Sequence, residues 1–141
     1  MYLEYDTDLK HAIPEEDLID LTDDEKLRQV GMTAVNDGIR DACAEFDSYA
    51  GVRYAVPVSP VTDEIKRIVK DLWKCYMYER RPGNVPEDIK LLRERTTSTL
   101  RDISKGLKTL GVDPAPAATT QGSPEVRTGE RAFTRGKLEG F

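Results

Sequence analysis

The stretch Asp47-Ser48-Tyr49-Ala50-Gly51-Val52-Arg53-Tyr54-Ala55-Val56-Pro57-Val58-Ser59-Pro60-Val61 closes one helical pattern and opens another. Upstream of it, Val35, Ile39, Ala42, Cys43, Phe46 and Tyr49 recur at spacings of three and four. That is one face of a helix, expected to start near Thr33. Gly51 loosens its end, Arg53 and Tyr54 could extend it, and Pro57 and Pro60 stop it, because proline lacks the N–H a helix needs. Downstream, Thr62 is the expected N-cap of the next helix, with Asp63 and Glu64 in its first turn. Ile65, Ile68, Val69, Leu72, Trp73, Tyr76 and Met77 give this helix a wide apolar stripe and mark it as the core element. It is expected to end at Arg80-Arg81-Pro82-Gly83-Asn84, where cations meet a negative helix end and the Pro-Gly pair breaks the chain.

Working outward, a further helix opens at Pro86-Glu87-Asp88. Ile89, Leu92, Thr96, Leu100, Ile103 and Leu107 mark its inner face, and Gly111 is the expected stop. On the N-terminal side, Met1 to Ile13 reads as an extended acidic arm. Pro14 and Glu15-Glu16-Asp17 suit the first turn of a short helix ending near Leu21. Thr22 then reads as an N-cap, with Glu25 as its capping-box partner, for a brief turn holding Leu27 and Val30. Past Gly111 the Pro- and Ala-rich run 113–124 reads as an extended linker. The fold expected is all-α: a compact antiparallel bundle of about four helices over residues 1–111, with an extended tail over 112–141.

A chain of 141 residues supports one ordinary domain. No apolar run approaches the roughly 20 residues that span a bilayer, so no membrane role is expected. The acidic start lacks the features of a secretory signal. Cys43 and Cys75 have no metal or redox spacing and read as reduced, buried thiols. Residues 1–30 carry ten acidic and three basic side chains, whereas the rest carries sixteen and eighteen, giving −7 and +2 for a total of −5. That balance argues against sequence-specific DNA binding, which draws most of its affinity from phosphate neutralisation. It suits a surface that DNA slides past, or simply a solvated acidic segment.

Catalytic chemistry is not visible. His11, the one histidine, lies in a polar segment without convergent partners. Phosphate loops, nucleophile triads and metal motifs are absent from the sequence, so neither an enzyme nor a cofactor is expected. Asp23, Asp24 and Glu25 are adjacent and their side chains diverge around a turn. Trp73, Tyr76 and Tyr78 could form a stacking platform for bases, but at helical spacing they read as core aromatics. Arg80 and Arg81 could touch phosphate, but the commoner reading is a helix C-terminal charge pair.

Several short pieces, in order, resemble the Mu-like phage and prophage head–tail connector family. They are Met1-Tyr2, Pro14-Glu15-Glu16-Asp17-Leu18-Ile19, Leu21-Thr22-Asp23, the central Asp47-Ser48-Tyr49 with Arg53-Tyr54-Ala55-Val56-Pro57, and Tyr76-Met77-Tyr78-Glu79-Arg80-Arg81. The resemblance covers residues 1 to about 112. Ser48 stands where the family often has Gly, and the tail is longer and more basic than the family pattern. The resemblance implies a small helical adaptor of the virion neck, assembled in the host cytoplasm. It would stack in a ring beneath the portal protein, twelve copies to match it, around packaged DNA and next to a downstream head-closure or tail-terminator protein.

Three residue groups follow as candidates. Tyr49, Arg53, Tyr54 and Pro57 would fix the angle between the second and third helices. Tyr54 would pack its ring and hydrogen-bond its hydroxyl, and Arg53 would bond carbonyls or a carboxylate. Asp23, Asp24 and Glu25 would face the DNA channel or a basic neighbour. In the tail, Phe133, Leu138 and Phe141 would anchor on the portal or a neighbouring copy, with Arg131 and Arg135 paired to acidic partner residues. The alternative is a small helical DNA-binding or regulatory accessory protein using Arg80-Arg81 or the tail arginines.

Overall fold

The computed structural model describes residues 1–116, and every ordered element among them is helical. A single π-helical turn at Tyr5–Leu9 precedes α1 (Glu15–Thr22), α2 (Met32–Ala50), α3 (Asp63–Glu79), a 3-10 turn at Pro82–Asn84, and α4 (Glu87–Lys105). Helices α2, α3 and α4 pack mutually, and α1 lies across α2 and α3. The expected all-α bundle of about four helices is the observed fold.

The core follows the sequence stripes. Val35, Ile39, Ala42, Cys43 and Phe46 of α2 are buried against Ile65, Ile68, Val69, Leu72, Trp73 and Met77 of α3. Leu100 and Ile103 complete it from α4. Trp73 is fully buried, and its indole N–H donates to the Val35 carbonyl at 3.3 Å. Truncating such a ring typically costs about 3–5 kcal/mol. Thr62 caps α3 by accepting from the Ile65 N–H at 3.4 Å, as its type and position predict.

Three boundaries differ from the sequence reading. Residues 1–13 are not an extended arm: Tyr2, Leu3, Leu9 and Ile13 are buried in the core. Acidic Glu4, Asp6 and Asp8 hide this in the sequence, because the buried residues follow neither a helical nor a strand period. Thr22 is not an N-cap but the last residue of α1. Its hydroxyl donates to the Leu18 carbonyl at 2.7 Å and accepts the Gly31 N–H at 2.9 Å, closing the 23–31 loop.

The third difference is at α4, which ends at Lys105, before Gly111. Gly106 adopts φ +77°, a left-handed conformation that glycine takes without steric cost. Its N–H donates to Ile103 at 3.1 Å and the Leu107 N–H to Asp102 at 2.9 Å, the paired bonds of a Schellman cap. Leu107, expected on the inner face, is therefore 77 % exposed. The chain then turns back over the proline segment, burying Leu110 and setting the Ala115 N–H 2.8 Å from the Arg53 carbonyl.

Candidate functional site

The turn between α2 and α3 is held from two sides, by the segment before α1 and by the segment after α4. Tyr2 stacks edge-on against Phe46, with centroids 5.1 Å apart at 77°. Its hydroxyl donates to the Asp47 carboxylate and accepts the Val58 N–H at 2.7 Å. Burial, reinforced by the Asp47 carboxylate, pushes the Tyr2 hydroxyl pKa well above the usual tyrosine value. From the other side, the Tyr54 hydroxyl accepts the Leu110 N–H at 3.3 Å, and the Tyr54 side chain is buried. Arg53 lays its guanidinium over Gly106, where any side chain would collide with it. That sets a cation at the negative C-terminal end of α4, which favours it. Tyr49 is half-buried against the core, and Pro57 is exposed. The turn thus brings Tyr54 and Arg53 together with the chain after α4, while Pro57 stands apart. The sequence reading found Tyr54 and missed Tyr2 and Leu110, which lie about fifty residues away along the chain.

At the opposite end, the three acidic candidates take three different positions. Asp23 accepts the Leu27 and Arg28 N–H groups, each at 2.8 Å, and organises the loop. This holds Lys26 and Arg28 at positive φ, 59° and 57°. Asp24 clamps Arg80 at 2.5 Å and Arg81 at 3.2 Å, and the Arg80 side chain also donates to the Leu21 carbonyl at 3.1 Å. The Arg80 guanidinium, helped by Arg81, holds the Asp24 carboxyl below the usual carboxylate range. Glu25 is exposed. A groove of about 450 Å³ runs between this loop and the start of α2, with exposed Leu27 and Met32 on its wall.

A third polar cluster, unforeseen from sequence, joins α2, α3 and α4. Tyr76 donates to Glu45 at 2.7 Å, and Arg93 reaches the same carboxylate at 3.0 Å and Glu79 at 3.5 Å. The Arg93 guanidinium also lies 5.3 Å from the Tyr76 ring centre. Burial, together with the bond to Glu45, pushes the Tyr76 hydroxyl up to about 12. Tyr76 is thus a half-buried strut rather than part of a base-stacking platform, and Trp73 is in the core.

Both thiols are free and buried. Among the described residues no cluster of His, Cys, Asp and Glu could hold a metal, and no helix is long and apolar enough to cross a membrane. The tail candidates Arg131, Phe133, Arg135, Leu138 and Phe141 lie outside the described residues.

A search of the curated proteins finds no match. A family model, described as Bacteriophage Mu, Gp36, matches residues 2–128. The match runs from the Tyr2 anchor through all four helices and past the point near residue 112 where the sequence resemblance stops. Covering nearly the whole chain, it establishes that this protein belongs to the bacteriophage Mu Gp36 family of phage proteins.

Proposed function

We propose that the chain is a structural head–tail connector of a tailed phage, without catalytic activity. Copies form a ring beneath the portal in the virion neck, join capsid to tail and surround the DNA channel. The ring carries twelve copies to match the portal and passes the particle on to a head-closure or tail-terminator protein. The observation that supports this reading is membership of the Mu Gp36 family over residues 2–128. The helical body is compatible with it. Its turn and loop are pinned by long-range bonds from Tyr2 and Asp24 and by the Thr22–Gly31 bond that closes the loop, so each copy is a rigid unit able to pack side to side. Against the DNA-binding alternative, Arg80 and Arg81 are both engaged by Asp24. The net charge of −5 disfavours phosphate contact as well.

The test is reconstitution of the full chain with isolated portal, imaged in negative stain. A ring of added density on the portal is expected, and a chain that stays monomeric without portal affinity overturns the reading. Deleting residues 125–141 is expected to leave a folded helical body by circular dichroism and to abolish portal binding. Wild-type affinity of the truncated chain would remove the tail from the interface. Because Asp23 and Asp24 hold the loop together, Glu25→Lys is the cleaner probe of an acidic channel surface. It is expected to slow DNA passage, and unchanged phage yield would make Glu25 a solvated residue only.

A further inference from the structure

The outward face of α3 and α4 carries several cations that make no ion pair among the described residues, although Lys70 and Lys74 lie close to Asp71 and Lys70 to Asp8. A groove of about 260 Å³ separates the two helices, walled by exposed Arg67 and Arg95 over Ile68, Leu92 and Thr96, and lined as well by the half-buried Asp71. Lys70 and Lys74 stand beside Asp71 on α3. Arg67 is bound to Glu64 at 3.0 Å. Among the described residues, Lys70, Lys74 and Arg95 make no ion pair. The opposite charge sits on α1. Glu15, Glu16, Asp17 and Asp20 are all exposed, and among the described residues none is in an ion pair either. The fold therefore carries two groups of surface charges of opposite sign on different helices of one molecule, neither of them in an ion pair among the described residues. Such surfaces complement each other between copies, in a head-to-tail contact that repeats from one copy to the next.

We propose that α1 of one copy docks along the α3–α4 groove of the next, with Glu16, Asp17 and Asp20 meeting Lys70, Lys74 and Arg95. The apolar side of α1, Leu18 and Leu21, is already buried in its own core, so the contact is mainly polar. A contact of this kind is governed by charge complementarity, screened by salt, and reversible. The inference rests on the connector reading only for closure of the repeated contact into a ring.

The pairing is tested without portal, by sedimentation velocity of the full chain at about 0.02 M and about 0.5 M salt. Self-association is expected at low salt and its loss at high salt. One variant carries Glu16→Lys, Asp17→Lys and Asp20→Lys, and another carries Lys70→Glu, Lys74→Glu and Arg95→Glu. Each alone is expected to associate at least about tenfold more weakly, and an equimolar mixture is expected to recover association, since each now supplies the other's missing sign. Should a reversed chain lose helicity by circular dichroism, Asp17→Asn with Asp20→Asn, and Lys70→Gln with Arg95→Gln, carry the same test with smaller losses. A chain monomeric at low salt, variants that associate like wild type, or folded variants that stay apart when mixed would overturn the contact. Absence of portal binding by a chain that self-associates in this charge-dependent way would instead count against the connector reading alone.

Discussion

Replacing Tyr2 by Phe removes one oxygen atom and tests whether the first residues belong to the fold. The ring stays against Phe46, but the Val58 N–H loses its acceptor and Asp47 loses a donor. Tyr2 and Val58 are 5 % and 3 % exposed, so water reaches that N–H poorly. An unsatisfied buried donor costs about 1–3 kcal/mol. Asp47 is half-buried and recovers part of its loss by hydration. The sum expected is about 2–3 kcal/mol. At about 4 °C per kcal/mol for a chain of this size, the melting temperature should fall by roughly 8–12 °C. Tyr2→Ala also loses the stacked ring and should cost about 3–5 kcal/mol. Urea unfolding followed by circular dichroism measures both, and a cycle with Asp47→Ala should return a coupling of about 1 kcal/mol. A Phe variant within about 0.5 kcal/mol of wild type would refute the reasoning, since that is the range of an ordinary surface change. Residues 1–13 would then be a solvated arm whose contacts carry no stability.

Three further outcomes are expected. The Tyr76 pKa is raised from 10.0 to about 12, so its contribution to stability is intact below pH 10 and lost as pH rises from 10 toward 12; alkaline unfolding should be less steep in Tyr76→Phe, and identical titrations would exclude a role for the hydroxyl. Gly31→Ala should destabilise by about 1–3 kcal/mol, because a Cβ there would run into the Thr22 backbone carbonyl and force apart the Thr22–Gly31 hydrogen bond; thermal melts of this variant and of Thr22→Val should show similar losses. Burial pushes the Cys75 thiol up to about 11 and raises Cys43 as well, so neither should react with a thiol reagent at about pH 8 until denaturant is added; fast reaction of the native chain would show that the core opens.

The sequence by itself determined the helices and their inner faces. Apolar residues at spacings of three and four place α2, α3 and α4, because a helix surface repeats every 3.6 residues and only one stripe can be buried. Local chemistry placed the Thr62 cap for the same reason: its hydroxyl acts on an N–H three residues away. Short motifs in a fixed order also pointed to the phage family that the match over residues 2–128 shows. What the sequence did not contain was any contact between distant residues. Tyr2 to Val58, Thr22 to Gly31, Asp24 to Arg80, Tyr54 to Leu110 and Glu45 to Arg93 are each made by side chains that have no pattern in their own neighbourhood. An acidic segment such as residues 1–10 reads as solvated until the bundle offers Tyr2, Leu3 and Leu9 an apolar surface to cover. Gly106 rather than Gly111 ends α4, although both have positive φ. Capping bonds can form after either glycine, and the choice falls to the packing of Leu110 and Arg53 against the turn. Burial of a side chain is a property of the assembled helices, and no stretch of chain carries that information alone.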